Sequence, residues 1–381
     1  MALVAFVLLG LVDGALGVAW PSMRDALDRG VSDLGLLLVF GSVGYLTASL
    51  GYGRLHRMMG TGVLLSSGSA LFLLGISGVA LAPSWVSLAF STLVVGLGGG
   101  LVDTGMNAHA ALAFDVGSIN LLHACYGVGA TLGPMVITVS LVSSGAWRWG
   151  YAALAALQAL SASMVWARRR RWAGAEPDLT GETPDGRRRV QLWSLLALFF
   201  FYTGVEVAAG QWAFTVLSES RGMSTAAAGL WVAIYWGGLT LGRFGFGLVG
   251  GRMHATRIID VSVAVAVTGL AVFWLDPLGL GFTGLPVAGL GLAAIFPTLV
   301  SLTPARIGAL HSTSSIGYQL AAATLGAASI PWLLGALAES RGLETIGAGI
   351  FASAVVLLTL HLVTARGTRR RSQVGDPSRP V

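Results

Sequence analysis

The sequence predicts an all-α membrane protein, with twelve transmembrane helices arranged as two six-helix pseudo-symmetric halves. Three observations predict it. Hydrophobic residues make up 55% of the 381 and charged residues only 10%, with a mean hydropathy of +0.77, whereas a soluble domain carries about 25% charged residues. Apolar runs of about 20 residues recur from end to end, each long enough to cross roughly 30 Å of hydrocarbon as a helix. The chain also repeats itself: Ala130-Thr131-Leu132-Gly133 returns as Ala323-Thr324-Leu325-Gly326, at an offset of 323 − 130 = 193.

The first span is expected near residues 2–23. It lacks a basic n-region and carries Asp13 and Pro21, so it reads as a span and not as a cleaved leader. Spans near 34–54 and 62–82 follow, joined by a short loop holding Arg57. The fourth, near 85–113, carries Asp103, and the fifth, near 118–143, contains Asn120, His123, Tyr126 and Gly133-Pro134. A sixth near 148–167 closes the first half. The polar stretch that follows opens with Arg168 to Arg171, closes with Arg187 to Arg189, and holds Pro177 and Pro184, which marks an irregular linker. The second set is expected near 191–218, 224–250, 256–275, 277–303, 311–337 and 344–365. The chain therefore divides into an N-terminal bundle (1–167), a cytoplasmic basic linker (168–190), a C-terminal bundle (191–366) and a cytoplasmic tail (367–381).

Orientation follows from arginine asymmetry. Loops on the linker's side hold Arg54, Arg57, Arg252, Arg257 and Arg306, and the tail adds Arg366 and Arg369 to Arg371. Arginines in the opposite loops are mostly offset by Asp25, Asp28, Asp33, Glu219 and Glu339. The positive-inside rule then places both termini in the cytoplasm of a multi-pass inner-membrane protein. The net charge of +6 sits in these flanking loops, so it points to the bilayer and not to nucleic acid. Cys125 is the sole cysteine, which excludes an intramolecular disulfide and any cysteine-based metal site. No Walker loop and no metal-ligand spacing appear, so neither ATP-driven transport nor a cofactor is expected.

The 193-residue offset also carries Gly44…Leu46-Thr47 onto Gly237…Leu239-Thr240, and Asp13 and Gly17 onto Glu206 and Gly210. Within the first half, Gly10-Leu11-Val12-Asp13 resembles Gly100-Leu101-Val102-Asp103. Nested repeats of this kind place a cavity on the pseudo-symmetry axis at the bilayer midplane, with the halves rocking around it.

Three carboxylates, Asp13, Asp103 and Glu206, lie deep in apolar spans. A charge at the bilayer centre costs about 2.5–3.5 kcal/mol on insertion scales, so such groups face a water-filled cavity or a partner. Removal from water also favours the protonated form of a carboxylic acid, the property a proton-coupling group needs; the alternative is a carboxylate that only bonds a neighbouring helix. His123 is a candidate relay, since imidazole titrates near neutrality; His109 faces elsewhere and reads as structural. Asp103 and Asn107 share a helix face, as do Glu206 and Gly210, with Gln211 and Trp212 just beyond. Tyr126, Tyr235, Trp236, Tyr318 and Gln319, with Asn120, supply further aromatic and amide groups suited to a hydroxylated solute. Trp20, Trp147 and Trp149 lie near span ends and fit the headgroup belt. Arg243 is expected to pair with a carboxylate or a helix end in one state.

These residues resemble the major facilitator superfamily, and within it the fucose/glucose–galactose:proton symporter family. The resemblance runs over nearly the whole chain. It is carried by Tyr202-Thr203-Gly204-Val205-Glu206-Val207 with Trp212, by Trp236-Gly237-Gly238 to Gly242-Arg243-Phe244, by Ala294-Ile295-Phe296-Pro297-Thr298, and by Gly317-Tyr318-Gln319…Pro331-Trp332. Asp103…Asn107 and His123…Tyr126-Gly127 match the first-half pattern. The resemblance implies a major facilitator fold, with proton coupling and sugar binding at Asp13 and Asp103 and sugar contacts at Asn107 and Gln319. Two departures stand out. Arg57 occupies the place of the superfamily's loop aspartate between Gly53 and Gly60, and Gly129-x-x-x-Gly133-Pro134 resembles the core of a drug:proton antiporter motif without its trailing glycine pair.

The expectation is a secondary active transporter for proton-coupled uptake of a monosaccharide or similar small polar solute, working as a monomer, since twelve helices enclose their own pathway. The rival is a proton-driven efflux antiporter for drugs or metabolites. A membrane receptor lacks a signalling domain in linker or tail, and a membrane enzyme lacks a catalytic constellation.

Overall fold

The computed structural model describes the backbone of residues 2–113, 116–172, 186–249, 254–307 and 309–374. Side chains at 111–113, 116–120, 171, 186–190, 247–249, 304–307, 309–316 and 366–374 lie outside the description. The described residues fold into helices joined by short turns, with no strand among them. In chain order the helices are α1 (Ala2–Leu27), α2 (Asp33–Leu81), α3 (Trp85–Ala113), α4 (Val116–Ser144), α5 (Trp147–Ala167) and α6 (Gly186–Thr215). After a π turn come α7 (Thr225–Val249), α8 (Ala255–Leu275), α9 (Gly284–Leu292), α10 (Ile295–Ile307), α11 (Ala309–Arg341) and α12 (Glu344–Val374).

Ten of the described helical segments are long and apolar enough to cross a membrane. One of them, the 49-residue α2, covers two predicted spans, and α7 covers the remaining one. The loop expected between spans two and three is reduced to a single residue: Gly60 takes φ 74°, ψ 160° inside α2, a conformation that only a residue without Cβ adopts at little cost. The tenth span, expected near 277–303, is present over Gly281–Thr303, but it is not one regular helix. It begins as two short 3-10 turns, Pro277–Gly279 and Gly281–Thr283, and then breaks at Ala293–Ala294 between α9 and α10. Pro297, four residues after Ala293, has no N–H for the Ala293 carbonyl and its ring crowds that carbonyl.

Glycines set the helix spacing in the first half. On α1, a Cβ at Gly10 or Gly14 would overlap the carbonyls of Tyr126 and Ala130. On α4, a Cβ at Gly129 or Gly133 would overlap those of Val7 and Leu11. The antiporter-like Gly129-x-x-x-Gly133 is thus half of an α1–α4 packing ladder of small residues. Gly326 of α11 meets the Phe200 carbonyl of α6 in the same way in the second half.

Two belt assignments are corrected here. Trp20 is fully buried, edge-on to Trp85 with ring centroids 6.4 Å apart, and Trp147 is buried against Tyr151 at 6.1 Å. Arg29 and Arg148 stack over Trp85 and Trp147 at 4.8 and 4.6 Å, so these rings serve the protein and not the headgroups. Trp149 remains exposed, as a belt residue would.

The halves touch mainly at the end of the bundle far from the termini. Gly35 of α2 is seated on Trp332 of α11, and Gly229 of α7 on Thr138 of α4. The two seats stand one residue off the 193-residue repeat, since 229 − 35 and 332 − 138 are both 194. Gly17 of α1 abuts the Gln211 backbone of α6. Arg24 bridges to Glu219 at 3.1 Å, and Glu339 accepts the Ser32 N–H at 3.1 Å. That bond serves a helix start whose own N-cap side chain makes no capping bond.

Candidate functional site

Asp13 sits in mid-α1, where Leu11, Val12, Gly14 and Ala15 around it are all buried, yet its own side chain is exposed. Because α4 and α6 flank α1 at this level, that exposure opens on a space between helices. The Tyr126 hydroxyl donates to Asp13 Oδ2 at 2.7 Å. The Gly10 approach to the Tyr126 carbonyl brings α4 close enough for the phenol to reach a carboxylate one turn along α1. On α6, Gln211 Nε2 donates to the Asp13 backbone carbonyl at 2.9 Å, held there by the Gly17 contact.

Asp103 on α3 is half-buried. It accepts the Tyr45 hydroxyl at 2.6 Å and the Asn107 amide at 2.9 Å. The shared face expected for Asp103 and Asn107 is present, and the Asn107 NH₂ is committed to Asp103, leaving its carbonyl oxygen for other partners. Close by, His123 is exposed with its ring edge-on to Phe6 at 5.6 Å, within the electrostatic reach of Asp103.

Glu206 on α6 is buried and has the fullest set of partners. The Tyr202 hydroxyl, one turn earlier, donates to Oε2, and Arg243 Nη2 of α7 lies 3.5 Å from Oε1. Tyr235 donates to the Glu206 backbone carbonyl at 2.7 Å. Arg243 thereby acquires a named carboxylate partner. Trp236 packs on Gly210, where a Cβ would strike its indole ring. Its Nε1 and Gln211 Oε1 are buried without a hydrogen-bond partner, a donor and an acceptor on adjoining helices.

Not every expected residue arrives at this cluster. Trp212 is fully buried on the opposite side of α6, donating to the Pro331 carbonyl at 3.0 Å. Gln319 is buried and bonded to Thr303 of α10, and Tyr235 acts as a strut under α6. Tyr318 is exposed on α11, and Arg57 is exposed beside the Gly60 turn. The Asn120 side chain lies outside the described residues. His109 packs edge-on to Trp172 at 5.0 Å. Tyr45 and Tyr202 were not singled out from the sequence as site residues. For Tyr202 the signal was present, four residues before Glu206; for Tyr45 it was only a lone mid-span tyrosine. Among the described residues, no three His, Cys, Asp or Glu side chains gather as a metal site would require.

Residues 2–331 match the family model described as the Major Facilitator Superfamily. The chain is 22% identical to the glucose/mannose transporter GlcP of Bacillus subtilis, over 97% of its own length and 94% of the relative's. It is 30% identical to a probable multidrug-efflux transporter of Mycobacterium tuberculosis, over 78% of this chain and 58% of that one. Among solved structures, a D-xylose–proton symporter superposes with a TM-score of 0.74 at 14% identity, covering 93% of this chain and 95% of the other.

Proposed function

The chain belongs to the Major Facilitator Superfamily, and from that premise we propose that this multi-pass membrane transporter takes up a monosaccharide or similar small polar solute, driven by protons. The observation that carries the reading is Asp13: a mid-span carboxylate exposed between the helices of the bundle, held by one phenol and by no cation among the described residues. Such a group binds and releases a proton from the space in which the solute rides. Asp103 is the second proton-handling group. Asn107 beside Asp103, and Tyr126 and Gln211 beside Asp13 with Trp236 next to Gln211's helix, supply hydroxyl-matching donors and acceptors, and the likeness to the glucose/mannose transporter of B. subtilis favours a sugar.

In this reading residues 1–167 and 191–366 rock as two bodies. With the far end open, Asp13 takes a proton and the solute enters. The far end then closes through Gly35–Trp332, Gly229–Thr138 and Arg24–Glu219, and solute and proton leave toward the termini. With the termini in the cytoplasm, as the arginine asymmetry reads, this order of steps is uptake. The mycobacterial efflux relative favours a second reading, proton-driven export.

The test is reconstitution in liposomes under an inward proton gradient, with labelled sugars screened against no-gradient and sodium-gradient controls. Proton-dependent accumulation of one sugar is the expected result. Absence of sugar uptake, with proton-driven accumulation of lipophilic compounds in inverted vesicles, would replace uptake by efflux.

A further inference from the structure

We infer that Arg243 is the counter-ion that joins the two halves at the site, and that Glu206 holds it in place and does not carry the coupling proton. Both are positioning residues for the Asp13–Tyr126 pair. The inference rests on the proton-coupled reading above and deepens it.

The three span carboxylates are partnered very differently. Asp13 has a phenol and an open face; Asp103 has a phenol and an amide; Glu206 is buried and has both a phenol and a guanidinium. A guanidinium does not give up its proton inside a protein, and a buried charge stripped of its partner is strongly destabilising. Arg243 therefore needs an anion beside it in every state. Glu206 can accept a proton only when another carboxylate takes its place.

Among the described residues Arg243 pairs with no other carboxylate, and the seam between the halves brings it up to Tyr126 and not to Asp13 itself. A Cβ at Gly127 of α4 would stand 2.6 Å from Thr240 Oγ1 of α7, and the hydroxyls of Thr131 and Thr240 are 3.4 Å apart. Tyr126 precedes Gly127, and Arg243 follows Thr240 by three residues, about one helical turn on the same side. The Arg243 charge accordingly acts on Tyr126 of the first half as well as on Tyr202 of the second. Among the described residues, the charged and titratable groups around it are Glu206 and Tyr202 from α6, Tyr235 from α7 itself, and Tyr126 and His123 from α4, with Asp13 of α1 behind Tyr126. Negative charge on Asp13 pulls the guanidinium toward Tyr126 while Glu206 keeps it paired; a proton on Asp13 releases that pull. One side chain thus reports the charge of one half to the other, at a contact across which the halves must move.

Proteoliposomes carrying E206Q, R243Q and E206Q/R243Q separate the roles. Each single variant strands a charge, the half-buried Arg243 in one and the buried Glu206 in the other, and is expected to lower gradient-driven accumulation about tenfold, in keeping with the cost of an unpaired buried charge. With both charges gone and Asp13 intact, the double variant is expected to regain part of that loss and to stay above the no-gradient control, the remaining deficit being the missing joint. If the double variant accumulates nothing above the no-gradient control while still exchanging solute, Glu206 carries the proton and the inference is overturned. A second measurement needs no transport: unfolding temperatures for the E206Q/R243Q and D13N/R243Q double-mutant cycles. Both pairs are expected to be non-additive, and an additive D13N/R243Q pair would remove Arg243 as the joint. Should the wild-type protein show no proton-driven accumulation, the uptake reading falls, and the two thermal cycles still decide the role of Arg243. Where R243Q does not fold, R243K, which keeps the charge and loses the planar fork, takes its place in both cycles.

Discussion

Tyr126 on α4 donates its phenolic hydrogen to Asp13 on α1 across 2.7 Å, joining residues 113 positions apart at a mid-span carboxylate exposed between the helices. A hydrogen bond to a charged acceptor contributes about 1.5–3 kcal/mol. Tyr126→Phe is therefore expected to weaken proton-driven accumulation about tenfold or more, while solute exchange without a gradient changes less. Parallel accumulation and counterflow assays check this. An equal loss in both would assign Tyr126 to solute binding alone.

Trp212 and Trp236 separate packing from recognition. Trp212 is spent on the Pro331 carbonyl, so Trp212→Phe is expected to cost about 1–3 kcal/mol of stability and leave the solute KM unchanged. Trp236→Phe deletes an uncommitted indole N–H beside Gln211 and is expected to raise KM. Unfolding temperature and transport kinetics on both variants decide the matter, and a KM effect from Trp212→Phe alone would reverse the assignment.

The far-end seal makes a steric prediction. Gly35→Val drives a side chain into the Trp332 backbone, and overpacking of this kind costs about 1–3 kcal/mol in the state that contains the contact. The variant is expected to favour the far-end-open state. With Cys125 replaced by Ala, a cysteine placed at Gln211 would report the change as faster maleimide labelling from the far side. Unchanged labelling would mean that Gly35–Trp332 is not part of the moving seal.

The polar latches beside that seal are weaker. Arg24–Glu219 is partly exposed, and pairs of this kind contribute about 0.2–1 kcal/mol. Glu219→Gln and Glu339→Gln are each expected to shift the same labelling rate by a few-fold at most and, being distinct contacts, nearly additively. A shift as large as that from Gly35→Val would make the latches, and not the glycine seats, the main hold on the closed end.

The spans were legible in the sequence because each must cross the same apolar thickness, and the 193-residue repeat because both halves use glycines where helices touch. The Ala293–Ala294 break was hidden: Pro297 falls within a turn of a helix start, where proline is also tolerated, so only the backbone reveals that one span had become two helices. Side-chain facing was harder still. Spans apolar on every side offer no polar stripe to mark the cavity, and Trp212 follows Gln211 directly yet turns to α11 while Gln211 turns to α1. Asp13, Asp103 and Glu206 could be picked out as costly charges. Their partners Tyr45 and Arg243 stand 58 and 37 positions away from Asp103 and Glu206 in sequence (103 − 45 and 243 − 206), on helices whose pairing only the fold defines.

Proton-driven uptake through Asp13 is tested most directly by Asp13→Asn in proteoliposomes under an inward proton gradient, with the transported sugar at fixed concentration. Asparagine keeps the shape and an acceptor for Tyr126 but cannot carry a proton. Accumulation is predicted to fall to the no-gradient level while sugar-for-sugar exchange persists. Accumulation at the wild-type level would contradict the assignment and move the coupling proton to another group.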